Sequence, residues 1–353
     1  MEVTKVIEQL MSRSDVFSDI MLQSDAPIML KTPRGWVEAG VEGAPSFTDL
    51  TKFALTLDSN WEAAITKGEI NRPYDVQGQR LRVNVYLASA GQRVMLSMRR
   101  IPAVVPSLAD AGLPPSLRAL LENPSGLILV SGPTGSGKTT TMAAMVDTIN
   151  KIRNAHVVTV EDPIEYVFKR ERAIFSQREV GVDCDTFLDG VRAALRQRPD
   201  VIVIGEIRDR ETAEQAFIAG ESGHLVIGTL HASSAPGTVG KMLSFFSDTE
   251  REARTASLAS CLLGVVNQTL IPRVDGNGYA LAVDFMANHK RTYSKVLGEP
   301  EKLQGLLTRS EDQVSIPLGN SAQALLKSNV VSRTDVLKSL VSNPIAYEAV
   351  VRA

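Results

Sequence analysis

Short, continuous apolar segments alternate with longer amphipathic segments over the second part of the chain. Residues 127–130, 157–160, 201–204 and 225–227 are strand candidates with apolar residues on both faces, as strands in the interior of a parallel sheet have. The segments between them, 138–150, 186–197 and 211–220, have helical length and spacing. This alternation predicts an α/β domain over residues 124–353. From about residue 250 the pattern indicates mostly helix, with one strand-like piece at 279–285.

The first hundred residues follow a different pattern. Short strands are predicted at 19–22, 82–86 and 94–98, and a helix between 48 and 66. We therefore expect a small α+β domain over residues 1–103. Prolines cluster between 102 and 124, and proline removes a backbone donor and restricts the residue before it. A linker is predicted at 104–123.

Composition narrows the class of protein. The 353 residues include 38 Lys plus Arg and 40 Asp plus Glu, a net charge of -2 that argues against binding nucleic acid through bulk charge. No apolar run approaches the ~20 residues of a membrane span. The start of the chain lacks the pattern of a secretory signal, and its two cysteines are too few for a disulfide framework. We expect a cytoplasmic protein.

One segment matches a phosphate-binding pattern. Residues 132–139 fit G-x-x-x-x-G-K-[ST] between a predicted strand and helix, where backbone N–H groups and the helix N-terminus surround phosphates. Lys138 is expected to reach the β- and γ-phosphates of ATP, and Thr139 to bind Mg²⁺. The residues predicted to bind the nucleotide here are Gly132, Pro133, Thr134, Gly135, Ser136, Gly137, Lys138, Thr139 and Thr140.

Hydrolysis also needs carboxylates near the metal and the attacking water. Glu206 follows the buried strand 201–204, at the place of a Walker B acid, and is the predicted partner of Mg²⁺. A second acidic segment, 159–165, follows the strand after the P-loop helix, and a solvated loop is its alternative interpretation. Its three acids, Glu161, Asp162 and Glu165, cannot be ranked by spacing alone.

The four histidines receive different interpretations. His231 follows the run 225–230, so it should emerge at the same sheet edge as the P-loop and sense the γ-phosphate. His224 stands just before that run and is also predicted to serve the nucleotide site. For His156 and His289 the default structural role is kept.

Four motifs in this order resemble those of the secretion ATPase superfamily, the GspE/PilT family, in its PilT/DotB-like branch. The matching segments are the Walker A at 132–139, the Asp box at 159–166, the Walker B segment at 195–209 and the His box at 220–231. The resemblance covers about residues 19–273. It implies a PAS-like N-terminal domain, a RecA-like P-loop ATPase domain and a homo-hexameric ring with ATP at domain and subunit boundaries.

The resemblance also implies roles. It assigns Glu165 as the general base and Glu206 as the Walker B acid. Arg82 and Arg99 fall at positions that resemble phosphate-contacting arginines of the family, and a guanidinium can bridge phosphate oxygens. Solvent-exposed strand arginines are the alternative. The implied protein is a motor peripheral to the inner membrane, acting on a platform protein without direct contact to nucleic acid.

Two departures from the family pattern leave the purpose of such a motor open. The chain lacks the paired C-x-x-C motif of pilus assembly and type II secretion ATPases, and it lacks the Ala-Ile-Arg-Asn-Leu-Ile-Arg-Glu segment of retraction motors. Pilus retraction, type IVB secretion and conjugation therefore stay open. A nucleotide-gated regulatory module without significant turnover and a nucleic-acid-translocating RecA-like motor are the alternatives. The carboxylates at 165 and 206 argue against the first, and the charge balance against the second.

Overall fold

The computed structural model describes residues 1–13, 16–66, 68–101, 104–288, 290–310 and 312–352. Two compact units are formed, Met1–Val104 with Asp275–Tyr279, and Val105–Val274 with Ala280–Ala353. The helices are α1 Val3–Met11, α2 Phe47–Leu57, α3 Trp61–Ile65, α4 Leu117–Leu121, α5 Lys138–Ile152, α6 Phe187–Ala194, α7 Arg210–Glu221, α8 Ala235–Ser244, α9 Asp248–Cys261, α10 Pro300–Arg309, α11 Leu318–Lys327, α12 Arg333–Ser339 and α13 Pro344–Arg352, with a 3₁₀ turn at Ser294–Val296. The strands are β1 Asp19–Gln23, β2 Met29–Thr32, β3 Gly35–Glu38, β4 Glu69–Val76, β5 Gln79–Ala88, β6 Arg93–Ile101, β7 Gly126–Ser131, β8 His156–Glu161, β9 Ile174–Glu179, β10 Val201–Ile204, β11 Leu225–Leu230, β12 Leu262–Pro272 and β13 Tyr279–Ala287.

The first unit is an α+β structure with one six-stranded sheet, in the order β3-β2-β1-β6-β5-β4. All its neighbouring strands are antiparallel. The predicted strands lie within β1, β5 and β6, but the single helix predicted between 48 and 66 is wrong. Helix α2 ends at Leu57 because Asp58 is extended, with φ -147° and ψ 114°, and its Oδ1 accepts a hydrogen bond of 2.9 Å from the N–H of Asn60. The chain becomes helical again at Trp61.

The second unit is an α/β structure with a seven-stranded sheet, in the order β13-β12-β7-β11-β10-β8-β9. Strands β12, β7, β11, β10, β8 and β9 are parallel to their neighbours in that order. The predicted fold class is confirmed. Because parallel strands place their carboxyl ends at one edge, the segments that follow β7, β8, β10 and β11 meet there.

Strand β12 corrects the expectation that the chain beyond residue 250 is helical apart from one strand. It pairs with β7 in the interior of the sheet, and most of its residues are buried. A continuous apolar run buried on both sides has no amphipathic period, so the pattern alone does not separate strand from helix. The sequence pattern also does not predict edge strand β9.

The segment predicted as a linker carries structure of its own. Helix α4 lies within it, and the side chains of Leu113, Leu117 and Leu121 are buried in the core of the second unit. Residues 102–103, at the predicted end of the first domain, and His289 lie outside the described residues. Over the ranges that the structure describes, no helix is both long and apolar enough to cross a bilayer.

Candidate functional site

The P-loop connects β7 to α5 and depends on glycine at its turns. Gly132, Gly135 and Gly137 have φ values of 149°, 78° and 85°, in the region that L side chains rarely adopt. A Cβ on Gly132 would lie 2.5 Å from the carbonyl oxygen of Gln268, so no larger residue fits there. The Nζ of Lys138 donates to the carbonyl oxygens of Gly132 at 2.9 Å and Pro133 at 3.0 Å. These are bonds that phosphate oxygens can replace.

Lys138, His231 and Glu206 meet at the carboxyl edge of the sheet, although they come from three different segments. The Nε2 of His231 lies 3.2 Å from Oε1 of Glu206, and its Nδ1 lies 3.5 Å from Nζ of Lys138. The imidazole of His231 therefore lies between the cation of the P-loop and the acid that follows β10.

Arg208 is a fourth member of this cluster that sequence reasoning missed. Its Nη2 donates to Oε2 of Glu206 at 2.6 Å. Burial raises the pKa of Glu206, but Arg208, His231 and Lys138 outweigh burial and hold this pKa below its usual value. Glu206 is therefore ionised, as a ligand of Mg²⁺ must be. Burial lowers the pKa of Lys138, and the charge of Glu206 opposes that effect.

Gly205 explains a departure from the usual Walker B pattern, in which many NTPases have aspartate. A Cβ at this position would lie 3.0 Å from the carbonyl oxygen of Val160 and 3.2 Å from the Cα of Glu161. A side chain at position 205 would therefore crowd the backbone of β8, and the acid that follows this strand is Glu206.

The Asp-box acids occupy different environments. Glu161 is 6% exposed, and its Oε1 accepts a hydrogen bond from Oγ1 of Thr159 at 2.7 Å. Its carboxylate also accepts the backbone N–H of Glu165, and burial raises its pKa to about 7. Glu165 is half-buried and Asp162 is exposed. The carboxylate of Glu161 thus accepts hydrogen bonds from Thr159 and from the backbone of Glu165, and it stabilises the loop that carries Glu165.

Strand β9 supports the same loop from the outer edge of the sheet. The side chain of Gln177 accepts from the N–H of Phe168 at 3.1 Å and donates to the carbonyl oxygen of Tyr166 at 2.8 Å. The hydroxyl of Tyr166 lies 3.1 Å from Oγ1 of Thr140. Thr140 therefore links the P-loop helix to the Asp box.

Strand β12 lies directly behind the P-loop. The Nε2 of Gln268 donates to the carbonyl oxygen of Ser136 at 2.5 Å. The Nδ2 of Asn267 donates both to Oγ of Ser131, at the end of β7, and to the carbonyl oxygen of Ala232, next to His231. Neither amide was singled out from the sequence, because the strand that carries them was not recognised.

Two histidines lie away from the cluster. His224 precedes β11, at the opposite edge of the sheet, and six residues of strand separate it from His231 by about 20 Å. Its Nδ1 contacts the carbonyl oxygen of Ala219 and the hydroxyl of Ser222, each at 3.2 Å. His224 therefore lies away from the P-loop of its own chain, and its contact with the nucleotide stays a prediction. The Nε2 of His156 lies 2.9 Å from Oγ of Ser176, and its backbone N–H donates to Oδ2 of Asp200 at 2.8 Å, which agrees with the structural role kept for it.

The two predicted arginines belong to the first unit and lie side by side. Arg82 on β5 and Arg99 on β6 are directly opposite each other, and Asp19 on β1 is opposite Arg99. The Nε of Arg99 donates to Oδ1 of Asp19 at 2.8 Å, with about half of the arginine side chain exposed. Their contact with phosphate remains a prediction.

The residues present fit a nucleotide with Mg²⁺. The turn at Gly132 has no room for a Cβ, and Lys138 Nζ donates hydrogen bonds that phosphate oxygens can accept instead. Thr139 and Glu206 offer the hydroxyl and carboxylate oxygens that Mg²⁺ prefers. Within the described part of the chain, no three His, Cys, Asp or Glu side chains form a metal cage. Mg²⁺ commonly takes most of its ligands from phosphate oxygens and water.

A P-loop, a Walker B acid and a histidine joined at the edge of a parallel sheet define the class of a P-loop nucleotide-binding protein. The profile of the Type II/IV secretion system protein family matches residues 73–308, and the chain belongs to this family. It is similar to the Type IV pilus retractation ATPase PilT of Pseudomonas aeruginosa, with 39% identity over 213 residues, which cover 60% of this chain and 61% of that protein.

Solved structures agree over nearly the whole chain. The crystal structure of the pilus retraction motor PilT with bound ADP superimposes with a TM-score of 0.82 and 34% identity, covering 96% of this chain and 97% of that one. The X-ray structure of the Legionella pneumophila ATPase DotB gives a TM-score of 0.80 and 26% identity, covering 94% and 92%. The predicted membership of the PilT/DotB-like branch is confirmed.

Proposed function

We propose that the protein is the Mg²⁺-dependent ATPase subunit of a hexameric motor that drives a type IV pilus or a related type IVB secretion or conjugation machine. The chain is an ATPase: it belongs to a family whose relatives include the retraction ATPase PilT and the ATPase DotB. The observation that carries the proposal is the contact of His231 with both Lys138 and Glu206. It places a histidine and an ionised acid beside the P-loop lysine, where the γ-phosphate would lie.

Hydrolysis at this site is proposed to follow from four groups of the chain. Lys138 exchanges its carbonyl partners for phosphate oxygens. Thr139 and Glu206 would hold Mg²⁺, which would supply positive charge to the phosphates. Glu165 orients and deprotonates the attacking water. This division of roles favours turnover over a regulatory module that only binds ATP, because binding alone needs no base.

Glu165→Gln is expected to lower turnover by about 10²- to 10⁴-fold with ATP binding retained, since the amide cannot take a proton. Glu161 is its strongest competitor, because a pKa of about 7 suits a base. The measurement is kcat at saturating ATP for Glu165→Gln, Glu161→Gln and Asp162→Asn, with folding checked by thermal melting. A larger loss in kcat for Glu161→Gln would reverse the assignment.

The cellular role is proposed as a peripheral one at the inner membrane, on a platform protein of the pilus or secretion system. Deletion of the gene in its native host is expected to abolish pilus retraction, protein secretion or DNA transfer. The wild-type gene should restore that output and Lys138→Ala should not. Accumulation of surface pili in the deletion strain would identify retraction. A deletion strain in which all three outputs stay normal would contradict the motor assignment.

A further inference from the structure

The four residues that follow His231 are held by polar groups from four different elements. Side chains donate to their carbonyl oxygens, Asn267 to Ala232 at 2.9 Å, Asn343 to Ser233 at 3.1 Å and Thr238 to Ser234 at 2.7 Å, and Asp284 accepts the N–H of Ala235 at 2.7 Å. We call residues 232–235 the post-histidine segment. Three of these bonds come from other parts of the chain, through Asn267, Asn343 and Asp284, and the segment follows His231 directly.

Asp284 is a buried residue whose two carboxylate oxygens both accept hydrogen bonds. It lies on β13 and is 2% exposed, and its two oxygens serve two helices. Oδ2 accepts from Ala235, the first residue of α8, and Oδ1 accepts from Leu318, the first residue of α11, at 3.1 Å. Burial raises the pKa of Asp284 to about 6, so the acid costs free energy to bury, partly offset by the two N–H donors.

The helix on the far side of Asp284 belongs to the C-terminal helices. Helices α11, α12 and α13 form one apolar cluster with β12 and β13, to which Leu318 and Val350 contribute. Asn343, at the start of α13, makes the second bond from this cluster to the post-histidine segment, at Ser233. The C-terminal helices are therefore hydrogen-bonded to the post-histidine segment twice, at Ser233 through Asn343 and at Ala235 through Asp284.

We propose that Asp284 is a positioning residue for hydrolysis. By fixing the start of α8 to the start of α11, it makes the C-terminal helices the support against which His231 is held between Lys138 and Glu206. This inference rests on ATP hydrolysis at the proposed site and is independent of the cargo of the motor. Since the support is reciprocal, a displacement of His231 by the γ-phosphate would be transmitted to α11–α13.

A double-mutant cycle tests the proposal through steady-state ATPase kinetics. Asp284→Asn keeps the shape but places an amide N–H₂ against an N–H donor, and should lower kcat by about 3- to 10-fold with KM for ATP little changed. The decisive comparison is with His231→Ala. If Asp284 acts through His231, then Asp284→Asn should cause no further loss in kcat when His231 is already alanine.

Two further variants keep the result interpretable. Asn343→Ala removes the other fastening at the protein surface, and should lower kcat by a smaller factor that also disappears in the His231→Ala background. Asp312→Asn is the matched control, because Asp312 accepts hydrogen bonds from Ser315 and Val314 and has no bond to the post-histidine segment. It should leave kcat unchanged. All assays are run well below the lowest melting temperature.

The outcomes separate this proposal from the proposed function. A wild-type protein that hydrolyses no ATP would contradict the function itself. Active wild type with an unchanged kcat in Asp284→Asn would overturn the positioning role. Losses that multiply in the double variant would overturn it as well, because Asp284 would then act independently of His231.

Discussion

Lys138→Ala is expected to reduce ATP turnover by at least about 10²- to 10³-fold. The reason is electrostatic: Lys138 is the side-chain cation within the P-loop, and in a partly buried site its charge stabilises the γ-phosphate as negative charge moves in the transition state. Loss of this cation also weakens nucleotide binding. The measurement is phosphate release at several ATP concentrations with Mg²⁺.

Lys151→Ala supplies the control on the same helix. Its Nζ pairs with Asp147 at 2.6 Å, four residues earlier, and half of the side chain is exposed. Because surface pairs of this kind contribute little, turnover should remain within about twofold of wild type. Equal activities of Lys138→Ala and wild type would show that phosphate release does not come from this P-loop.

Arg82→Ala and Arg99→Ala are each expected to lower kcat by about 10³- to 10⁵-fold if these arginines are delivered in trans, since that is the worth of an arginine finger in P-loop enzymes. Each variant should still bind ATP. A mixture of Lys138→Ala subunits with either arginine variant should recover part of the activity. Some interfaces would then join an intact P-loop to an intact arginine. A repeated head-to-tail contact closes into a ring or runs on as a filament, and in a ring every site has such a neighbour.

Arg93→Ala is the matched control for the mixing experiment, because it is an exposed arginine on the same strand as Arg99. Its activity should stay near wild type. Subunit exchange must be followed by a separate fluorescent probe. With exchange demonstrated, a mixture whose activity is only the sum of its two inactive parents would return Arg82 and Arg99 to ordinary strand residues.

The sequence predicted those parts of the site that are contiguous in the chain. The P-loop is recognisable because glycine is needed at fixed offsets for positive φ, and the structure shows that need at Gly132 and Gly137. The meeting of His231 with Glu206 was also predictable. Each follows an apolar run of a parallel sheet, and such runs end at one edge.

The parts that could not be predicted depend on tertiary contacts. Arg208 follows Glu206 by two residues, and nothing in the local pattern shows that its side chain turns back to that acid. Asn267 and Gln268 lie on β12, where residues 262–268 are all buried. The alternation of buried and exposed positions that would predict a strand is therefore missing. His224 is near His231 in sequence but lies at the other end of β11, because a strand extends the chain instead of coiling it.

The central claim is that the cluster of Lys138, His231 and Glu206 hydrolyses Mg²⁺-bound ATP. Glu206→Gln tests it most directly, because the amide keeps the size of the acid and removes the charge that holds the metal. Phosphate release and retained nucleotide should be measured on the same sample for this variant and for wild type. The account predicts that the wild type releases phosphate, whereas Glu206→Gln retains ATP without releasing phosphate. Turnover by Glu206→Gln at the wild-type rate would contradict the claim.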